Sequence, residues 1–195
     1  MSANVWFEEV NTGLVNEIYN TVHQVDVRGN LVPLEKGVQI VVRKPEEDLK
    51  FEKYPCISIY NRSESFDPLR YDPNQVVVSR DYENHQVRVE DPHISFTLSY
   101  QIDFWAKYQF DMDTITRMWK EKHFRQFNLS VIDDGGNERT VNCMVKGDTV
   151  RADLVDGKER LFHSIVNLEI WVELDSETRY NKPMVDDLSI NVTAE

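Results

Sequence analysis

Residues 94–104 alternate without a break: Ile94, Phe96, Leu98, Tyr100, Ile102 and Phe104 are apolar, while Ser95, Thr97, Ser99, Gln101 and Asp103 are polar. Successive side chains of a strand point to opposite sides, so this pattern predicts one buried face and one wet face. At about 3.3 Å per residue the strand is roughly 36 Å long. That exceeds the usual length of about five or six residues. It predicts a strand that extends past its own sheet, with Asp103 on the solvent side.

A helix is predicted directly after it. Asp111 and Asp113 suit the positive end of a helix dipole, and Lys120, Lys122 and Arg125 suit its negative end. Met112, Ile115, Met118, Trp119 and Phe127 fall on one half of a helical wheel, with His123 in the same stripe. Such a stripe is read as packing on the sheet. A first helix is expected from Leu14, Val15, Ile18, Tyr19, Val22 and Val25, capped by Asn11 or Thr12 and ended by Gly29.

Runs 38–42 and 57–60 are rich in β-branched and aromatic residues, as strands are, and Pro55 can stand only at the start of the second. After the second helix, three turn signals separate runs at 129–132, 140–145, 148–155 and 161–174. They are residues 133–137, Lys146-Gly147 and Asp156-Gly157. In the last run Phe162, Val166, Leu168, Ile170, Val172 and Leu174 face one way, interrupted by Ser164. The fold class is α+β: a mixed, mostly antiparallel sheet with long alternating strands. It is packed by an N-terminal helix and a second helix near residues 110–126, in a single domain spanning 1–195.

Two segments stand apart. Residues 61–92 read as a long polar loop with one β run at 75–78, and residues 175–195 as a polar tail in which 188–192 can add a short strand. Phe66, Tyr71 and Tyr82 in the loop are candidate partner-interface residues. So are Ile165 and Trp171, apolar residues on the expected outer face of the last strand.

The charge narrows the choice of partners. A net charge of −12 disfavours nucleic acid and anionic membrane, which are bound through clustered Lys and Arg. Half of that excess, eleven acids against five bases, lies in residues 148–195. No apolar run approaches the roughly 20 residues of a membrane span, and the first residues carry no export signal. Cys56 and Cys143 are expected as buried, unpaired thiols, in keeping with a reducing cytoplasm.

No chemistry stands out. The five histidines and two cysteines show no metal-ligand spacing, and there is no nucleophile elbow, phosphate loop or dinucleotide fingerprint. Residues 133–138 lack the order of a calcium loop and read as a hairpin turn. The expectation is a protein that is not an enzyme, with no cofactor and no metal.

Residues 96–107, followed by a helix through 114–119, resemble the tail terminator (tail completion) proteins of tailed bacteriophages. That family has a long strand ending in an acid–aromatic–Trp sequence, here Asp103-Phe104-Trp105, then a short polar link and a helix on the sheet. The order of elements over about residues 12–175 is similar as well. The resemblance implies a homo-oligomer, commonly a hexameric ring, at the head-proximal end of the tail tube. Its partners would be the tail tube protein and a neck or connector protein. DNA would pass through the lumen without specific binding, and the protein would sit in the virion after assembly in the host cytoplasm. A head–tail connector, another tail component, or a monomeric binding domain outside viruses are the alternatives.

Overall fold

A computed structural model describes residues 5–25, 31–33, 38–43, 54–74, 76–133, 135–156, 159–174 and 179–183. The elements follow in the order α1 (Phe7–Thr21), β1 (His23–Val25), β2 (Leu31–Pro33), β3 (Gln39–Arg43), β4 (Cys56–Phe66), β5 (Val76–Asp81) and β6 (Gln86–Glu90). Then come β7 (Ile94–Ala106), α2 (Gln109–Lys122), β8 (Gln126–Ile132), β9 (Glu138–Asp156), β10 (Glu159–Leu174) and β11 (Arg179–Pro183). The fold is α+β. Six strands form the main sheet in the order β3-β4-β7-β10-β9-β8, antiparallel except for the β3–β4 pair.

The alternating strand is β7, at the centre of that sheet. Leu98, Tyr100, Ile102 and Phe104 are buried on one face, as the pattern predicted, and Ala106 continues that face, whereas Ile94 at the start of the strand is exposed. The same face takes Ile57 and Ile59 from β4 and Val166, Leu168, Ile170 and Val172 from β10. Helix α2 covers it with Met112, Ile115 and Trp119, and α1 with Val10, Leu14 and Ile18. The sheet curls around α1, which touches β8 at one edge and β3 and β4 at the other. Gly13 makes the closest approach possible: a Cβ there would stand 2.9 Å from both Ser130 O and Val131 Cγ1.

Several expectations are corrected. Helix α1 begins at Phe7, so Asn11 and Thr12 lie inside it; Glu9 reaches back to accept the Trp6 N–H at 2.9 Å. It ends at Thr21, Tyr19 on it is exposed, and Val25 belongs to β1. Gly29 lies outside the described residues. Helix α2 stops at Lys122, so Phe127 reaches the His123–Trp119 cluster from β8 instead of from the helix.

Lys146-Gly147 is not a hairpin turn. Strand β9 runs on through it for 19 residues, and Gly147, with φ +75°, sits in a bulge where β9 holds extra residues against β10. The turn at 133–137 stands: Asp133 accepts from the Asn137 N–H at 2.8 Å and from Arg139 Nε at 2.8 Å.

The 61–92 loop is the largest correction. Residues 61–66 are the second half of β4, and β5 and β6 form a hairpin. Within the tail, residues 179–183 form β11, which pairs with β6; residues 188–192 lie outside the described residues. These three strands make a second sheet in the order β11-β6-β5. The registers link the two sheets. Leu174 is opposite Ile94 and Arg179 is opposite Glu90, while Phe66 is opposite Phe96 and Val76 is opposite Glu90. Thus the three strands β4, β7 and β10 of the main sheet each carry on, after an interruption, as β5, β6 and β11. Among the described residues the second sheet makes no substantial contact with the body. It is an arm.

Candidate interaction surfaces

The turn that joins body to arm is tightly built. Asp67 accepts from the Leu69 N–H at 3.1 Å and from Arg70 Nε at 2.8 Å, and Arg70 Nη2 donates to Phe96 O at 2.6 Å. The Arg70 hydrogen bond, more than any other contact, holds the Asp67 carboxyl below the usual range. Arg70 also lies over the Trp171 ring, 5.6 Å from its centre. This network fixes a turn whose tip, Leu69, is 95 % exposed.

Three of the five residues singled out from sequence lie at this junction, with Phe66 opposite Phe96 and Trp171 opposite Thr97, on the other face of the sheet. Phe66 and Tyr71 pack edge to face at 5.5 Å, Phe66 contacts Phe96 at 6.2 Å, and Trp171 is half-buried beneath Arg70. A cavity of about 310 Å³, lined in part by Val5, Arg70, Arg139 and Trp171, opens beside them. Tyr82 is elsewhere, 67 % exposed in the turn between β5 and β6. Ile165 is half-buried on β10, opposite Asp103.

Sequence reasoning did not anticipate the exposed apolar residues Leu69, Val77, Tyr108, Phe110 and Phe124. Val77 and Val78 lie on β5, where residues 77–81 are all exposed, so neither face of that strand is covered. The Val76-Val77-Val78 triplet was the available signal.

The outer face of the main sheet also departs from expectation. Asp103 is only 1 % exposed, although the alternation put it on the wet side. Gln101 Nε2 and His163 Nε2 lie 2.7 and 3.3 Å from its Oδ1, and Ser58 Oγ lies 3.4 Å from its Oδ2. His163 stacks on Trp105 at 3.7 Å. The residue types are those of a hydrolytic triad, but the arrangement is not: serine and histidine each address the carboxylate from strands on either side of β7. The cluster ties β4, β7 and β10 together. Both thiols are buried and pushed up to about 12 by that burial, which keeps them protonated near neutrality.

The two helices are tied through His123, buried between Trp119 and Phe127 with Nε2 3.1 Å from Glu17 Oε1 on α1. Burial is the main reason its pKa falls to about 4, so the ring is neutral at pH 7. Lys122 Nζ completes the contact, 2.7 Å from the same Glu17 oxygen. Among the described residues no helix is long and apolar enough to cross a membrane.

No family model matches the chain, and no curated protein matches it. Among solved structures it is similar to the sheath/tube terminator of an extracellular contractile injection system, PVC, in its extended state. That similarity has a TM-score of 0.46 and 13 % identity, and covers 98 % of this chain. This chain spans 64 % of the length of that one.

Proposed function

We propose that this protein is a structural, non-enzymatic terminator of a tail tube: a ring, with six copies as the expected number, that stops tube growth and joins a phage tail to its neck. The observation that carries the reading is the arm. Three strand lines run on past the body as a sheet with exposed valines and, among the described residues, no further strand on either edge, a form that a partner would complete. The strand–helix unit, β7 into α2, adds the resemblance in element order and in residue character.

Ring closure suits heterologous contacts, which otherwise run on as a filament. Six copies would carry 6 × −12 = −72 formal charges, and acidic residues lining the lumen would keep DNA from sticking. Electron micrographs of tails assembled without this protein test the reading. Overlong tails that fail to join heads are expected; tails of normal length, joined normally, would sink it.

A further inference from the structure

We infer that the arms close the ring by edge-to-edge pairing, with β5 of one copy lying beside β11 of the next. The inference deepens the ring reading and rests on it. Among the described residues, β5 and β11 form the two edges of the arm sheet, and neither carries a further strand. An edge strand exposes a row of unpaired N–H and C=O groups, and proteins usually shield it with charge, proline or a covering element. Here β5 opens with Val76-Val77-Val78, the last two 48 % and 46 % exposed, has a bulge between Val77 and Ser79, and ends in Arg80 and Asp81, while β11 carries Arg179, Lys182 and Pro183. The valine run of β5 opens the longest stretch of the two edges without charge or proline.

Direction selects the partner. Both β5 and β11 are antiparallel to β6, so they run parallel to each other. A rotation about an axis along the arms keeps that direction, so β5 can pair in parallel with the β11 of a neighbouring copy. Repeating the step covers both edges of every arm. A two-fold dimer through β5 alone would leave each β11 edge bare, and a foreign strand on one edge would leave the other open. A second copy of this chain, placed head to tail, satisfies both.

The registers supply a test. Ser79 and Asn181 both stand opposite Arg88, on either side of β6. Within one chain they are therefore two strand spacings apart, about 10 Å, beyond the roughly 7 Å limit between disulfide-linked Cα atoms. A disulfide between them can form only between copies. Chains carrying Ser79→Cys with cysteine introduced at 180, 181 or 182 in turn, to allow for stagger, are oxidised and run without reductant. The unsubstituted chain is the control, since Cys56 and Cys143 are buried.

A ladder of crosslinked species beyond the dimer is expected from at least one pair. Val77→Lys with Val78→Lys should weaken assembly roughly threefold to tenfold per valine, since about half of each side chain is left to bury, as read by light scattering, with the circular dichroism spectrum unchanged. Dimers alone, formed also by Ser79→Cys without a second cysteine, would overturn the inference in favour of a two-fold contact. Unaltered assembly in the lysine variant, with no ladder from any pair, would overturn it while the ring reading stands. A strictly monomeric unsubstituted chain, even beside tail tube protein, would remove both.

Discussion

Body and arm differ in how much they bury, and the change begins inside the body, within β4. In β4, Cys56–Ile59 are all buried whereas residues 62–66 are all exposed, although pairing with β7 runs through both halves, interrupted by a bulge between Asn61 and Ser63. Ile57 and Ile59 of the first half join the core with α1, whereas the second half carries no buried residue. Strand pairing alone thus accounts for the shape of the arm but supplies little burial, and burial is the main stabilising contribution. The body is where stability resides. The arm is a surface.

The largest expected effect tests that division directly. Trp119→Ala empties a site at the centre of the body and should cost about 3–5 kcal/mol in denaturant unfolding. Tyr82→Ala, at the tip of the arm, should change stability by less than about 0.5 kcal/mol. Comparable losses from the two would break the comparison.

Acid should act on the body next. His123 has a folded pKa of about 4 against 6.5 for the free side chain, so between those values the unfolded chain binds more protons than the folded one. The contribution is fully present above pH 6.5 and drains away as pH falls toward 4, up to about 3 kcal/mol in all. The His123→Gln variant should have a flatter stability curve over that window. An unchanged curve would place the acid sensitivity elsewhere.

A smaller loss, about 1–3 kcal/mol, is expected from Gly13→Ala, because the added methyl group meets the Ser130 carbonyl at 2.9 Å. Denaturant unfolding reads the loss. Hydrogen exchange should show the change in α1 and β8, with the arm amides unaffected. Coupled changes in the arm would mean that the two regions are one cooperative unit.

The legible parts of the fold were those with one covered face. Strand β7, the buried face of β10 and the apolar buried positions of α2 were readable from period, while the buried Thr114 and Thr116 of α2 were not. The start of α1 was not, because Trp6 offers no side-chain acceptor and only Glu9, reaching back, marks the cap. The bulge at Gly147 was read as a turn because both use a positive φ. Only the partner strand, running on beside β9, distinguishes them. The arm was read as loop for a related reason: exposed on both faces, β5 has no alternation to display.

Of the candidate interface, the sequence identified the residue types at 66, 71 and 171, but only the fold placed Phe66 against Tyr71 and Trp171 under Arg70 at one junction. The sequence by itself determined which segments can bury a face, because hydrophobic periodicity is a local property of the chain. Tertiary structure alone decided that Asp103 is enclosed on its supposed wet side and that strands β4, β7 and β10 carry on into an arm. Both depend on pairings between residues far apart in the chain, and the long strand from which the reading began acquires its neighbours only on folding.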